Sequence, residues 1–430
     1  MATSKESRAE KGDVRSARPF ESRVQPDTPR PELEGTAGTN VSPGDAISPG
    51  DAMKSQNERG GRQKRLRDDE ESDHTDFRQK KQKAKLPKGL RNIASACFSN
   101  ACLQLVNAVF TPAQVAQLAG DSEIENFGLD VHALRGLEGK NLDRTLDALK
   151  GAIKKSSPVR IAPYVGKLLE DLRSDEGSTA DPVLLQRAFA FGKTCYTHEH
   201  ELFSGDSQED ASEYLRLLIS SVGEEQGFVD EAFRYHTAEA TVCMAPSCEY
   251  RNEHSTNSST ILEAQIPPAS TASLERHAPR QRSRTSPVAT LDSVLEAHFD
   301  NAMCEGSTCG KCNAKDSLAA QLRMTEYPDH LLVSINRTRF ESAASSAIKD
   351  TTKIKLNFGD IRLGKEGVCY RLIGLVKHFG KRADDGHYSA YVKISDGNWA
   401  SLDDDAVKMV PKRALEDGVK GYSSILLLQR

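Results

Sequence analysis

Hydrophobic residues are scarce in this 430-residue sequence. They make up 37%, and the 30 glycines do not lift the apolar total to the usual level of about 45–50%. The mean hydropathy of −0.56 fits a chain whose core is diluted by a segment without one. No apolar run approaches the roughly 18 residues a spanning helix needs; the longest lie near Leu331–Val333 and Ile425–Leu428, so no transmembrane helix and no membrane partner are expected. The first residues are polar and lack an apolar leader stretch, so no secretory signal is expected. A dominant charge sign is missing as well. Lys+Arg number 58 against 62 Asp+Glu, a balance of −4, which excludes a strongly basic nucleic-acid coat over the whole chain. The nine cysteines are an odd number, and without a secretory signal they fit catalysis or metal binding in a reducing compartment better than a disulfide framework.

Aromatic residues are nearly absent from residues 1–88, where Phe20 and Phe77 stand alone among Pro, Gly, Ser and charges. Such a segment cannot bury enough apolar surface to offset its ordering entropy, and it is expected to be disordered. It holds 19 Lys/Arg and 16 Asp/Glu, a net of +3, which leaves −7 for the rest of the chain. Two basic clusters lie in it: Arg62, Lys64, Arg65 and Arg67, then Arg78, Lys80, Lys81, Lys83 and Lys85, separated by the largely acidic residues 68–77. This is the pattern of a bipartite nuclear-localisation signal, and equally of a solvated charge tract. The expected location is therefore nuclear, cytoplasmic or both.

From Gly89 onward the chain reads as folded. Ala101, Leu105 and Val109, with Cys102 and Val106, predict a helix over Cys97–Phe110, with Pro112 just beyond its end. Helical patterns also cover Leu142–Ile153 and Pro182–Phe191. Ser207 and Asp210 form an S-x-x-D capping box before an apolar face of Ala211, Tyr214, Leu215, Leu218 and Ile219. After residue 230 the period moves toward two. Strands are predicted over Thr237–Cys243, Leu262–Ile266, His330–Ile335 and Tyr370–His378, and Tyr388, Ala390, Val392 and Ile394 alternate as in a half-buried strand. Residues 267–290, with Pro267-Pro268, Arg276, Arg280, Arg282 and Arg284, read as a low-complexity basic insert. Helices first and strands afterwards predict an α+β fold.

Three groups of residues carry chemistry. In GLRNIASACFSNACLQ (residues 89–104), Cys97 opens a predicted helix, whose positive end favours a thiolate, and Asn92 can donate an amide N–H to a developing oxyanion. A cysteine on an amphipathic helix is also an ordinary packing residue, as Cys102 on the apolar stripe illustrates. In HFGKRADDGHYSAYVKISDGNWASLDDDAV (residues 378–407), His387 opens a strand and Asp403, Asp404 and Asp405 end the returning one. A hairpin through Asp396-Gly397-Asn398 and Trp399 brings a carboxylate beside the imidazole, as a catalytic imidazole needs; a histidine opening a strand is otherwise structural. The cysteine pairs Cys243/Cys248 (C-x4-C) and Cys309/Cys312 (C-x2-C) can supply four thiolates to a closed, structural zinc site, with Cys304 as a competing ligand or with all of them as free thiols.

Taken together, these segments resemble the ubiquitin-specific proteases, the ubiquitin carboxyl-terminal hydrolases among the papain-like cysteine peptidases. The first is similar to their Cys box, GLxNxGNTCYMNxxLQ, and the second to their His box, GHYxAYV…WxxFDDxxV. QEDASEYLRLL (Gln208–Leu218) resembles the QQDAQEFLxxLL helix, LLVSINRTRF (Leu331–Phe340) the strand ending LxRF, and YSSILLLQR the closing YxLxYxR. The five blocks come in family order across residues 89–430.

The resemblance implies a papain-like peptidase with a helical thumb, a β-rich palm and zinc-tied β fingers around a ubiquitin-binding hand, preceded by the 1–88 tail. It implies Cys97 as nucleophile, His387 as general base and Asp403 as the residue orienting it. Asn92 matches the oxyanion-hole asparagine and Asp404 the second aspartate assisting there. Asp210, with Gln208 and Tyr388, matches positions at the ubiquitin tail. No cofactor is implied for catalysis, and a structural zinc on Cys243, Cys248, Cys309 and Cys312 is. The implied reaction is hydrolysis of isopeptide or peptide bonds at the C-terminal glycine of ubiquitin, in polyubiquitin or ubiquitinated proteins. The ubiquitin tail is basic before its Gly-Gly, which suits a folded part of net charge −7.

The chain departs from the pattern at Ala94-Ser95-Ala96, where the family reads Gly-Asn-Thr, and at Ser99, where the family has a packing methionine. Glycine at the first of these positions allows positive φ and close approach of backbone. A catalytically weak ubiquitin-binding scaffold is the alternative these departures raise. A nuclear nucleic-acid-associated factor acting through the basic tail is the second; direct nucleic-acid binding by the acidic folded part is not expected. A reporter fused to residues 60–88 tests the tail: nuclear accumulation is expected, and a reporter that stays cytoplasmic contradicts the signal.

Overall fold

A computed structural model describes residues 85–120, 137, 139–155, 159–192, 203, 207–267, 288–339, 348–364, 366–380, 382, 385–395, 397–417 and 422–430. These belong to one compact unit, Gln79–Arg430. The tail's basic clusters apart from Lys85, most of the 267–290 insert, and Cys195, Phe340 and Asp396 lie outside the described residues.

Helices fill the first half. The central one, Cys97–Asn107, is buried along almost its whole length, with Phe98, Cys102 and Leu103 fully enclosed. Full burial of a side chain such as Phe98 or Leu103 contributes roughly 1.5–3 kcal/mol, so packing rather than propensity holds this helix. It stops three residues earlier than the periodicity predicts. Pro112 then starts a new helix, Pro112–Ala119, which Thr111 caps in a capping box with Gln114. That helix crosses Ala162–Arg173 at backbone contact: a Cβ on Gly166 would lie 2.1 Å from the Ala119 nitrogen. The predicted helices near 142–153 and 182–191 are present as Gly139–Lys155 and Val183–Phe191.

The helix after residue 207 is not capped by Ser207, contrary to the expectation from the S-x-x-D pattern. It runs Ala211–Glu225, and its cap is Asp210, whose carboxylate accepts from the Ser212 and Glu213 N–H groups. Ser207 turns to Glu209 instead. Aspartate caps as well as serine does, and its charge gains from the positive end of the helix. The predicted apolar face is buried as expected.

The second half is an eight-stranded sheet. Its order is Ala406–Pro411, Asn398–Asp403, His387–Ser395, Val368–Phe379, Tyr422–Gln429, His330–Asn336 and Ile261–Gln265, with Asp360–Leu363 also paired to Val368–Phe379. All pairs are antiparallel except the last in the row, which is parallel. The His387–Ser395 strand is not half-buried: Tyr388 through Val392 are all buried. The sheet has a core on each face. Tyr388, Ala390 and Val392 pack toward the Cys97–Asn107 helix, while Tyr391 and Trp399 join a second core closed by the Leu291–Phe299 helix. A four-stranded sheet ordered Arg251–Ser259, Tyr235–Cys243, Leu318–Glu326, Ala302–Met303 makes the fingers. The end of the expected insert is structured, since Val288–Thr290 pairs with Lys353–Lys355 and Thr290 caps the helix that follows. Among the described residues no helix is long and apolar enough to cross a membrane.

Candidate active site

The site lies where the buried helix meets the sheet. Ala96, at the N-cap of Cys97–Asn107, offers no side-chain cap. No side chain therefore caps the first turn, which Cys97 opens. His387 begins its strand beside the Cys97 sulfur. The strand returns through Asn398–Asp403, the hairpin the sequence predicts, with Ala390 opposite Leu402. This register puts Asp403 Oδ1 2.5 Å from His387 Nε2. Ser389 Oγ donates to the same oxygen at 3.0 Å. Nε2–H bound to the carboxylate leaves Nδ1 for Cys97. The hydrogen bond with Cys97 raises His387 to about 9; burial opposes this and Asp403 reinforces it. Gly386 holds φ +155, and a Cβ there would strike Phe379 O at 2.1 Å, so only glycine lets the strand start here.

Two neighbours with the same chemistry are set apart by their surroundings. Cys102 lies one turn further along, fully buried, with Sγ donating to Ala211 O at 3.1 Å; burial pushes its thiol well above the ordinary value. His378 stacks on Tyr388, and burial, helped by Lys349 at 2.7 Å, pushes it down to about 4. Environment, not residue type, singles out Cys97 and His387.

Asp404 joins the loop before the helix to the sheet. Its two oxygens accept from Asn92 Nδ2 at 2.7 Å and Asn100 Nδ2 at 2.9 Å. Leu90 N–H donates to its backbone carbonyl at 2.8 Å. Burial raises its carboxyl, while the hydrogen bond from Asn100, the His387 charge and Asn92 oppose the rise. Asn92 Oδ1 accepts from Ala96 N–H at 3.1 Å, which fixes the amide's orientation. Ala94, in the family's glycine place, sits at φ +58. A left-handed alanine costs roughly 1–2 kcal/mol, and this loop carries that strain.

Asp210 and Tyr388 share a groove of about 420 Å³ with Glu213, Arg337, Lys349 and His378. Gln208 does not line it. Its Oε1 accepts from Gly386 N–H at 2.7 Å, just before His387, and its Nε2 lies 3.4 Å from His378 on the neighbouring strand. Asn100, Ser389 and Gln186 take part in the site and are missing from the sequence-based set. Asn100, three residues after Cys97 in the Cys box, was within reach of pattern reading; Gln186 sits in a helix with no motif.

In the fingers, Cys243, Cys248, Cys309 and Cys312 place their sulfurs within 4.8 Å of one another. The Cys243–Cys312 and Cys248–Cys309 separations are 3.7 and 3.8 Å. The edge of a tetrahedron with metal–sulfur bonds of about 2.3 Å is about 3.8 Å, so the donor set fits a four-thiolate metal. Lys311 N–H points to Cys309 Sγ at 3.4 Å, and left-handed Ser247 and Asn313 turn the two loops. Cys304 is outside this cluster, with its sulfur 3.9 Å from Ala302 O, and is not the competing ligand.

A thiol at a helix start, an imidazole and a carboxylate on a papain-like α+β scaffold define the class of thiol peptidases. Residues 88–427 match the ubiquitin carboxyl-terminal hydrolase family, and the chain belongs to it. Ubiquitin carboxyl-terminal hydrolase 10 of Saccharomyces cerevisiae is 30% identical over 112 residues, 25% of this chain and 14% of that protein. Ubiquitin carboxyl-terminal hydrolase 23 of Arabidopsis thaliana is 22% identical over 335 residues, 77% of this chain and 34% of that protein. The chain thus spans a minor part of both relatives. The solved SAGA Ubp8/Sgf11/Sus1/Sgf73 DUB module bound to ubiquitin aldehyde shares the fold, with a TM-score of 0.51 and 18% identity over 80% of this chain and 69% of that one.

The folded-state value for His387 lies above its unfolded value of about 6.5. Its stabilisation is therefore fully present below that pH and is lost as pH rises through about 9. By NMR, the His387 ring is expected to titrate near 9 and to fall toward 6.5 in Cys97→Ala. A ring that titrates near 6.5 in both proteins contradicts the pairing.

Proposed function

We propose that this chain is a deubiquitinating thiol peptidase. The observation that carries the reading is the Cys97–His387–Asp403 alignment, with the imidazole held protonated to about pH 9. The Cys97 thiolate attacks the carbonyl of the ubiquitin C-terminal glycine. Asn92 Nδ2 and the Cys97 backbone N–H receive the oxyanion, with Asp404 holding Asn92 in place. His387, oriented by Asp403, gives its proton to the leaving amine. It then takes a proton from the water that cleaves the Cys97 thioester. Asp210 and Glu213, which line the groove beside Arg337 and Lys349, are the acidic groups proposed to meet the basic ubiquitin tail, with ubiquitin, polyubiquitin and ubiquitinated proteins as substrates.

The four finger cysteines are proposed to hold a structural zinc, which supplies a cross-link and no catalytic step. The basic clusters of the tail support entry to the nucleus. The scaffold reading rests on strained Ala94. Because every catalytic group is still aligned, the strain is expected to slow turnover rather than abolish it, and Ala94→Gly to raise kcat.

Wild-type protein is expected to turn over a ubiquitin C-terminal fluorogenic amide. Cys97→Ala is expected to abolish this, and Asp403→Asn to lower kcat by about 10²–10⁴-fold, since a mis-set imidazole costs that much in related triads. Turnover that survives in Cys97→Ala contradicts the assignment. Metal analysis of purified protein is expected to give near one zinc per chain, lost in Cys309→Ser; a value far below one removes the zinc.

A further inference from the structure

The contacts around Asp404 continue one layer deeper into the helices. Asn100 turns its nitrogen to Asp404, so its Oδ1 faces inward. There Gln186 Nε2 meets it at 3.3 Å. The same Gln186 nitrogen donates to Ser99 Oγ at 3.0 Å, and Ser99 Oγ donates to Ala96 O at 2.9 Å. Asn92 closes the circuit, donating to Asp404 and accepting from Ala96 N–H. Ser99, Asn100 and Gln186 are 1%, 2% and 3% exposed, so water has little access to any of them. Turning over the Gln186 or Asn100 amide sets oxygen against oxygen, or leaves a buried donor without a partner, and such groups are costly to leave unpaired. The donor of Gln186 holds the oxygen end of Asn100 while Asp404 and the Arg91 carbonyl, at 3.3 Å, hold its nitrogen end, so one orientation of Asn100 is selected and with it one orientation of the Asp404 carboxylate.

Ser99 gives the Gln186 nitrogen its shorter contact, 3.0 Å against 3.3 Å to Asn100, and so helps to aim it. The methionine that the family resemblance places there offers no comparable acceptor to a glutamine amide. The circuit also encloses Ala94, the one residue of the Asn92–Cys97 loop at positive φ. A loop strained at Ala94 has reason to drift, and both ends of the circuit grip it, at Asn92 and at Ala96.

We propose that Gln186 is a positioning residue for the reaction. From the Val183–Phe191 helix it locks Asn100 and Asp404, and through them it holds the Asn92 amide where the oxyanion forms. It touches neither substrate nor reacting atoms. The inference rests on the deubiquitinase reading above.

Gln186→Leu removes the donor at similar volume. The test compares its steady-state turnover of the ubiquitin fluorogenic amide with wild type, alongside alkylation of Cys97 by iodoacetamide, which needs the thiolate but no oxyanion donor. A fall in kcat of about 10- to 100-fold is expected, the scale of an ångström-level misplacement. KM is expected within about threefold, and the alkylation rate within about twofold, of wild type. A kcat within twofold of wild type overturns the inference, as does a kcat loss matched by an equal loss of alkylation, which marks general loosening. Should Gln186→Leu fail to fold, Ser99→Ala decides: it is expected to lower kcat several-fold at constant KM, and an unchanged kcat overturns the inference. Wild-type protein without turnover removes the deubiquitinase reading and this inference together; wild-type turnover with an indifferent variant removes this inference alone.

Discussion

The site depends on one carboxylate. Asp404 presents an oxygen to each of two asparagine amides, one on either side of Cys97, from a point in the chain 312 and 304 residues away. Hydrogen bonds to a charged group contribute about 1.5–3 kcal/mol each where they are shielded. These two, with the Leu90 N–H bond to the Asp404 carbonyl, tie the loop before the Cys97–Asn107 helix to the end of the Asn398–Asp403 strand. The approach is close: a Cβ on Gly89 would lie 2.4 Å from Asp405 O. Asp404 itself takes a left-handed backbone at φ +52 to make the turn. Once it is held, Asp403 in the preceding position ends its strand against His387, and His387 meets Cys97.

Burial then decides which groups react. The Cys97–Asn107 helix carries two thiols, and the sheet opposite carries two nearby imidazoles. Cys102 and His378 are driven to their neutral forms by desolvation. His387, at the open end, is driven to its charged form by its two partners despite partial burial. The same helix and sheet thus carry two groups held neutral and, beside them, the thiol–imidazole pair proposed to react.

Much of this was legible in the sequence because the chemistry is written in short blocks. Local spacing marks the cysteine at a helix start, the histidine–aspartate hairpin and the four finger cysteines as candidates, the family resemblance of five ordered blocks selects them over packing roles, and the structure brings each set together. Three features were misread or missed for physical reasons. Ser207 and Asp210 both cap well, and pattern alone does not say which amides each one reaches. Ser389 and Tyr391 looked solvent-facing because alternation assumes one wet face, whereas this sheet has a core on both sides. Gln186 carries no motif, and its role exists only because the fold brings it to Ser99 and Asn100, 87 and 86 residues away in sequence.

Cys97 is the proposed nucleophile for the C-terminal end of ubiquitin. The measurement closest to it is covalent capture by ubiquitin carrying a C-terminal electrophile, read by intact mass and peptide mapping. A single adduct of one ubiquitin per chain is expected, mapped to Cys97 and absent in Cys97→Ala, with Cys102 unlabelled. No adduct on folded wild-type protein, or an adduct on another cysteine, contradicts it.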